Sequence, residues 1–369
     1  MKKLIIFLTA AFVAAACTAC SGEDNKGNDG KSFKYGKVKG ADIGWATQLE
    51  DKGVKFVNFK GEQKNCTAVM KDVGFNAIRL RVWVDSKNSP EEKERGYYDI
   101  EDVLKQARRA VELGMDIMID FHYSDTWADP GKQIKPKSWE GKTADEIALA
   151  LSEHTAAILS ELKANEIPVK WVQVGNELDN GMIWPEGEIF KDVTSGFNET
   201  KLANFIKFFN AGYEAAKSVY PQAQIIMHRS NGTKTGEYTW YFEEMSKRNV
   251  RFDVIGMSVY PSYWDQSINA FPDWKPGMTA AVASIKAMAK YNKPVMICEV
   301  GMPESEPAKA KAAIDYLMKE TAGIPYCQGM FYWEPEGAEK YTGYAYSGFS
   351  DRGDKVCGPT SCMSPFYLY

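Results

Sequence analysis

Short apolar segments rich in β-branched residues alternate along the chain with longer segments in which apolar residues recur every three or four positions. The first pattern is typical of buried parallel strands, and the second is typical of amphipathic helices. Strands are predicted at residues 40–44, 77–84, 115–122, 169–177, 224–230, 254–261, 294–301 and 328–335. Helices between them are predicted at residues 99–114, 143–166, 200–220, 279–291 and 307–321.

This alternation of eight strands with helices predicts an α/β protein. It favours a single (β/α)8 TIM barrel over a doubly wound sheet. The chain has no GxGxxG and no GxxxxGK[ST] motif, so the main sequence support for nucleotide binding is missing. The last helix is expected to be short or missing, because only residues 365–369 remain for it. The barrel is predicted to occupy residues 33–369.

Residues 1–19 have the features of a bacterial lipoprotein signal peptide. A positively charged start precedes an apolar run at residues 4–16, which has signal-peptide length and is too short to span a membrane. Small residues then lead to Cys20, which is the predicted site of lipid attachment. Cys17 is the alternative acceptor, and simple secretion with cleavage near Ala19 is the alternative interpretation.

Residues 20–32 are polar, acidic and rich in glycine. This composition cannot bury a core and predicts a flexible tether. An acidic tether directly after a lipidated cysteine also resembles the surface-export signal of some Gram-negative lipoproteins. We therefore expect an exported protein that is held in the outer membrane by a lipid anchor and displayed at the cell surface.

Of the five cysteines after Cys20, four fall into two groups. Cys298 and Cys327 lie in apolar runs, which is typical of buried free thiols. Cys357 and Cys362 lie in a loop rich in glycine and serine, where no histidine or further cysteine completes a zinc pattern. Because an exported chain meets oxidising conditions, a local disulfide between these two is predicted.

Composition and the absence of certain motifs reduce the number of plausible functions. The formal net charge of −4 argues against nucleic acid as a partner, because binding to phosphates needs a basic face. Aromatic residues make up 13% of the chain, which indicates a cleft that stacks on flat apolar surfaces such as sugar rings. The absence of HExxH and GxSxG motifs weakens a zinc-hydrolase or acyl-transfer hypothesis. We expect neither a metal nor a cofactor.

Polar side chains accumulate where the predicted strands end, which is the functional face of a barrel. Glu177 follows Asn176 at the end of the fourth strand, and Glu299 lies at the end of the seventh. These strands are roughly opposite in an eight-stranded barrel, so the two carboxyl groups can face each other across its mouth. A pair about 5–5.5 Å apart is the machinery of a retaining glycosidase, with one group protonated and the other ionised.

Five stretches of the chain carry a family resemblance: GADI at residues 40–43, FNAIRLRVW at 75–83, DFHYSDTWADPGKQ at 120–133, QVGNE at 173–177 and FYWEP at 331–335. Together they resemble glycoside hydrolase family 53, the arabinogalactan endo-β-1,4-galactanases. The resemblance implies that Glu177 is the acid/base, that Glu299 is the nucleophile, and that the substrate is plant galactan or its oligosaccharides. Some family members bind calcium beside strands seven and eight, but this chain shows no clear ligand set there.

Further residues are expected to bind the sugar or to support the two glutamates, given the chemistry of their side chains. Asn176 is expected to donate to the 2-hydroxyl of the reacting sugar, and Trp333 to form its floor. Arg81 and Tyr260 are expected to keep Glu299 ionised. The cleft lining is predicted to include His122, His228, Trp83, Asp120 and Asp125, with loop platforms at Trp127, Trp139, Trp184 and Trp264.

Two alternatives stay open beside a surface-anchored galactanase. The first is another specificity on the same machinery, such as a β-1,4-mannanase or a cellulase. The second is a non-catalytic surface lipoprotein that only binds glycans, although a pure binder has no need of both Glu177 and Glu299. In each case we expect a monomer.

Overall fold

Eight parallel strands close into a barrel in the computed structural model, which describes residues 33–190, 196–263, 267 and 272–369. In chain order the strands are β1 (Val38–Asp42), β2 (Ala77–Val82), β3 (Asp116–Phe121), β4 (Val169–Val174), β5 (Gln224–Arg229), β6 (Val254–Val259), β7 (Val295–Val300) and β8 (Cys327–Trp333). Each strand pairs with the next one along the chain, and β8 closes the barrel against β1. The predicted (β/α)8 barrel is therefore confirmed.

Helices surround the barrel, and the five predicted from periodicity are all present. The described α-helices are α1 (Ala46–Asp51), α2 (Cys66–Val73), α3 (Ile100–Glu112), α4 (Ala144–Ala164), α5 (Glu199–Val219), α6 (Thr235–Lys247), α7 (Trp274–Ala287), α8 (Pro307–Ala322), α9 (Glu339–Thr342) and α10 (Ser364–Leu368). The sequence pattern did not predict α1, α2, α6 or α9. Helices α1 and α9 span only six and four residues, and the apolar stripes of α2 and α6 are short or mixed with charge. The last helix, α10, is short, as predicted.

Local signals fix where these helices begin and end. The long helix α4 begins with a capping box, in which Thr143 and Glu146 each accept a hydrogen bond from the other's backbone N–H. Helix α2 begins at an Asn65 cap and ends at Gly74, whose φ is +109°. A side chain at Gly74 would also meet the backbone oxygen of Phe366 at 2.1 Å. Glycine is therefore required where α10 packs beside α2.

A plug of apolar side chains fills the barrel interior. It comprises Ala77, Met118, Trp171, Ile226, Val254, Met296, Cys298 and Phe331. Gly40 makes room for one of them, since a Cβ at this position would lie 2.1 Å from the ring of Phe331. The barrel interior is therefore a packed core, and active sites of this fold form at the mouth where the carboxyl ends of the strands meet.

A small four-stranded sheet, absent from the sequence prediction, joins the loops after β1 and β8. Its strands, in spatial order, are Phe349–Asp351, Val356–Pro359, Lys55–Val57 and Gln63–Lys64. The pairing of Val356–Pro359 with Lys55–Val57 is parallel and connects segments about 300 residues apart. Strands this short give no periodic signal in the sequence, so only the tertiary structure brings them together.

The disulfide predicted between Cys357 and Cys362 is wrong. Both are buried free thiols. The sulfur of Cys357 lies 3.6 Å from the backbone oxygen of Glu336, whereas that of Cys362 lies 3.4 Å from the hydroxyl of Tyr332. Cys357 lies in the strand Val356–Pro359, whereas Cys362 lies in the helical turn Ser361–Met363 that follows it. Cys298 and Cys327 are buried free thiols, as predicted.

The predicted signal peptide, the tether and the acceptor Cys20 lie outside the described residues and stay predictions. Residues Lys34–Tyr369 form one compact unit. Within the described part of the chain, no helix combines the length and the apolar character needed to cross a membrane.

Candidate active site

Two glutamates meet at the mouth of the barrel. Glu299 lies in β7 and is 5% exposed. Glu177 follows β4 in a sharp turn, in which Gly175 and Glu177 itself have φ values of +78° and +47°. One carboxylate oxygen of each glutamate lies within 4.8 Å of the other. This separation fits a retaining glycosidase and is too short for the water that an inverting enzyme places between its carboxyl groups at about 6.5–9.5 Å.

Arg79 and Tyr260 hold Glu299. Arg79 Nη1 lies 3.1 Å from one oxygen of Glu299, and the Tyr260 hydroxyl donates to the other at 3.0 Å. Arg79 is itself fully buried and also pairs with Asp42 and Asp120. The prediction for Tyr260 agrees with this contact, whereas the prediction that Arg81 holds Glu299 is wrong.

Arg81 supports the aromatic wall of the site instead. Its guanidinium pairs with Glu334 and Asp42 and lies 4.2 Å from the ring centroid of Trp127. Alternation along β2 puts Arg79 and Arg81 on the same side, and the two-residue step between them decides which one reaches Glu299. The sequence pattern could have indicated Arg79 as another candidate partner of Glu299, because Arg79 lies on the same side of β2 as Arg81.

The environment separates the acidities of the two glutamates. Burial, with the negative charge of Glu299 as a second cause, raises the pKa of Glu177 well above its usual value. Burial also raises the pKa of Glu299, to about 7, but the charge of Arg79 and the hydrogen bond from Tyr260 oppose it. Glu299 is therefore the first of the pair to ionise, which suits a nucleophile, and Glu177 keeps its proton, which suits an acid.

Asn176 lies at the centre of a hydrogen-bond network beside the pair. Its side-chain oxygen accepts from Arg79 and Gln173, and its amide nitrogen donates to the backbone oxygen of Ala128 at 2.8 Å. One amide hydrogen is left for a ligand. Asn176 also borders the cleft, so its predicted donation to a sugar 2-hydroxyl is geometrically available.

Two adjoining cavities open at the glutamates. The first, about 290 Å³, has both glutamates in its wall, with His122, Trp127, Ala128, Asp129, Asn176, Tyr260, Tyr263, Trp333, Tyr344 and Tyr346. The second, about 210 Å³, contains Glu177 but not Glu299, and is otherwise lined by Pro130, Ser230, Asn231, Gly232, Thr233, Ser258, Tyr260 and Tyr263. Aromatic faces and hydroxyl groups together make a surface that suits a sugar.

Several predicted lining residues lie behind the cleft instead. Trp83 is buried against Trp127 and Tyr98, and Asp120 is buried between Arg79 and His122. Asp125 accepts from the backbone N–H groups of Asp85 and Lys137, His228 is fully buried, and Trp139 is a buried anchor. Trp184 is partly buried and donates to the backbone oxygen of Asn180, and Trp264 lies outside the described residues.

Sequence reasoning missed part of the wall. Ser258, Tyr263, Tyr344 and Tyr346 border the two cavities but were not predicted. Ser258 lies in β6 two residues before Tyr260, which follows the strand directly. A two-residue spacing favours the same side of an extended segment, so the sequence contained a signal for Ser258. The three tyrosines come from loops, where no periodicity indicates direction.

Glu177, His228 and Glu299 place one ligand-type atom each within 4.8 Å of one another, a spacing that also suits a cation. These atoms already have partners. Both ring nitrogens of His228 are in hydrogen bonds with Asn176 and Ser258, and Arg79 neutralises Glu299. The arrangement fits acid/base chemistry between two carboxyl groups better than metal ligation.

A pair of glutamates at this separation, at the carboxyl end of a (β/α)8 barrel with aromatic walls, defines a retaining glycoside hydrolase. The chain belongs to glycosyl hydrolase family 53, whose family model matches residues 38–356. The family membership implied by the five sequence stretches is thereby confirmed.

Relatives support the same family over most of the chain. An uncharacterised protein of Niallia circulans, from the region 5′ of bgaB, is 31% identical over 268 residues, which is 72% of this chain and 68% of that protein. An arabinogalactan endo-β-1,4-galactanase of Cellvibrio japonicus is 29% identical and covers 91% of this chain and 87% of its own length. The fold is also that of solved fungal β-1,4-galactanases, with a TM-score of 0.75 at 24% identity, covering 90% of this chain and 99% of that one.

Proposed function

We propose that this glycoside hydrolase is an endo-β-1,4-galactanase that cleaves galactan, the backbone of type I arabinogalactan, with retention of anomeric configuration. The observation that carries the chemistry is the approach of Glu177 and Glu299 to within 4.8 Å at the barrel mouth. The substrate is supported by the relatives named as galactanases, such as that of Cellvibrio japonicus and the endo-β-1,4-galactanase of Bacillus subtilis, which is 28% identical over 81% of this chain and 70% of its own length.

The geometry divides the reaction between the two glutamates. Glu299 attacks the anomeric carbon while Glu177 gives its proton to the glycosidic oxygen, so the bond breaks and a covalent glycosyl-enzyme forms. Glu177, now ionised, then takes a proton from a water molecule, which attacks the same carbon and releases Glu299. Asn176 binds the 2-hydroxyl of the reacting sugar, where a hydrogen bond strengthens in the transition state.

The two cavities give the bound chain a direction. The nucleophile must contact the sugar whose bond is cleaved, and only the 290 Å³ cavity contains Glu299. The 210 Å³ cavity contains Glu177 without Glu299, which is the position of the leaving sugar beside the acid. The reducing end of the glycan therefore points towards Asn231 and Thr233.

A panel of purified glycans tests the proposal. The enzyme is incubated with unbranched β-1,4-galactan, β-1,4-mannan and cellulose, and the products are separated by length, with early products examined by proton NMR. We expect short β-galacto-oligosaccharides from galactan only, with the anomeric configuration retained. Release from mannan or cellulose instead would establish one of the alternative specificities, and binding without release from any of the three would establish a glycan-binding protein.

We also propose that the enzyme is anchored by lipid at Cys20 in the outer membrane and faces the cell surface. Support comes from the signal-like residues 1–19 and the acidic, glycine-rich residues 20–32. A surface position would bring the cleft to galactan, a polymer too large to enter the cell.

A further inference from the structure

Ser258 bridges the proposed acid/base and a buried histidine. Its hydroxyl oxygen lies 2.6 Å from one oxygen of Glu177 and 2.9 Å from Nε2 of His228. A serine hydroxyl has a single hydrogen, so Ser258 can donate to only one of these neighbours at a time. Which neighbour receives it decides whether Ser258 stabilises the ionised or the protonated form of Glu177.

Hydrogen bonds connect Asn176, His228, Ser258 and Glu177 in that order, and Asn176 determines which atom donates in each of them. The side-chain oxygen of Asn176 accepts from Arg79 Nη2 at 3.0 Å, and its nitrogen donates to the backbone oxygen of Ala128. The amide cannot be reversed without breaking both bonds, because arginine is only a donor and a carbonyl is only an acceptor. The Nδ1 of His228, 2.9 Å from that oxygen, must therefore carry a hydrogen.

His228 then has an acceptor directed at Ser258. The ring is fully buried, and burial, with the charge of Arg79 as a second cause, lowers the pKa of His228 well below its usual value. A neutral ring with its hydrogen on Nδ1 has a lone pair on Nε2. The Ser258 hydroxyl satisfies that lone pair, which leaves the Ser258 oxygen to accept a hydrogen bond from Glu177.

We propose that Ser258 and His228 are positioning residues that hold Glu177 in its protonated form before bond cleavage. The inference rests on the proposed role of Glu177 as the acid. After Glu177 has given its proton to the glycosidic oxygen, the Ser258 hydroxyl rotates to donate to the new carboxylate, and Nε2 of His228 loses its donor. When Glu177 regains a proton from water, the hydroxyl returns. No proton leaves His228 in the cycle.

Other charges act on Glu177, and the test must not alter them. Glu299 and Asp179 disfavour its ionisation, and Arg79 favours it. The neighbouring phenol of Tyr260 is neutral, because burial raises its pKa well above the usual value. Tyr263 is 55% exposed, and a tyrosine is neutral below its ordinary pKa of about 10. None of these groups is removed by a change at Ser258.

The groups that face His228 are also few. Arg79 opposes its protonation, Asp120 favours it, and His122 opposes it. His122 provides an internal comparison, because its Nδ1 accepts from the backbone N–H of Ala128 and its Nε2 must donate to Asp120. The two rings are therefore opposite tautomers, a difference that NMR can resolve.

The first experiment reads the tautomer directly in the unaltered enzyme. The chain has three histidines, so its imidazole ¹⁵N spectrum is simple. We expect one ring, assigned to His228 by its loss in His228→Gln, to stay neutral with hydrogen on Nδ1 between pH 5 and pH 8. A charged ring, or hydrogen on Nε2, would overturn the inference. This readout needs no substrate, so it stands even if the glycan panel refutes galactanase activity.

The second experiment measures the pH profile of kcat/KM on the glycan that the enzyme cleaves. Its result is the direction in which the alkaline limb of that profile moves. In Ser258→Ala, Glu177 loses an acceptor for its proton, so we expect the alkaline limb of kcat/KM to move to lower pH by about one unit, a tenfold loss on that side. If Ser258 instead donated to ionised Glu177, the limb would move to higher pH. An aryl β-galactobioside with a nitrophenolate leaving group needs no acid, and its alkaline limb should not move.

Two further variants complete the test. His228→Gln places an amide N–H against Ser258, which should turn the hydroxyl towards Glu177 and again move the alkaline limb to lower pH. In the double variant Ser258→Ala/His228→Gln, the second substitution should add no further shift, because His228 acts on Glu177 only through the Ser258 hydroxyl. Ser284→Ala removes another buried hydroxyl, which bonds to Thr235 and Ala280 on the outer helices, and should leave the limb unchanged. Additive shifts in the double variant would refute transmission through Ser258.

Discussion

The substitution Tyr260→Phe isolates one support of the nucleophile. The Tyr260 hydroxyl donates to Glu299 at 3.0 Å, and burial and the charge of Glu299 raise the pKa of Tyr260, so the hydroxyl keeps its hydrogen. Phenylalanine keeps the ring that forms the cavity wall and removes only the donor. The ion pair between Arg79 and Glu299 is unchanged, so the carboxylate keeps its main partner.

The size of the effect follows from this single lost bond. A hydrogen bond to a charged group contributes about 1.5–3 kcal/mol, and the lower value applies because Arg79 remains. At about 1.4 kcal/mol per pKa unit, the pKa of Glu299 should rise by about one unit. Glu299 must be ionised to attack, so the acid limb of kcat/KM should move to higher pH by the same amount, with about a tenfold loss at low pH.

Initial rates on galactan from pH 3 to pH 9 measure this shift. The matched control is Tyr291→Phe, which removes a hydroxyl that donates to the backbone oxygen of Thr239 on the outer helices and should leave both limbs unchanged. An unmoved acid limb in Tyr260→Phe, or a shift of the alkaline limb alone, would refute the view that Tyr260 stabilises ionised Glu299.

Four further outcomes are expected. Glu177→Gln should slow cleavage of galactan greatly but spare an aryl β-galactobioside with a good leaving group, because that bond breaks without an acid; equal losses on the two substrates would contradict the assignment. Glu299→Gln should abolish turnover on every substrate, with azide restoring some activity and inverted products, and a fully active variant would exclude it as nucleophile. Cys20→Ala should move the protein out of the membrane fraction with its activity intact; retention there would point to Cys17. In unreduced, unfolded protein, mass spectrometry should find Cys357 and Cys362 both alkylated, whereas a protected pair would restore the disulfide.

The architecture was predictable because its signals are local. Most of the buried parallel strands contain a short apolar run, such as Ile117–Ile119 in β3. Each long helix has apolar residues at a period of about 3.6, a pattern that can be read without knowing which elements lie beside it. The strand-end rule then places Glu177 and Glu299 at one mouth, whatever the loops do. The short strands of the outer sheet were unpredictable, since two or three residues carry no period.

Contacts within the site depended on distances that the sequence does not contain. Arg79 and Arg81 have the same residue type and the same strand parity, yet one pairs with Glu299 and the other with Glu334. The two arginines are two residues apart along β2, so they lie at different depths below the mouth of the barrel. Each therefore meets a different glutamate.

The partners of the cysteines and histidines were also not predictable, because they too depend on distances that the sequence does not contain. Cys357 and Cys362 are close in sequence, but a strand and a turn direct their sulfurs to different partners. His122 and His228 both lie at strand ends, yet only their partners decide which nitrogen carries the hydrogen. The sequence by itself determined the barrel and the identity of its two glutamates, because periodicity and strand ends are properties of the chain. The tertiary structure alone decided the partner of each charge, because closing the barrel brings together side chains from strands far apart in sequence.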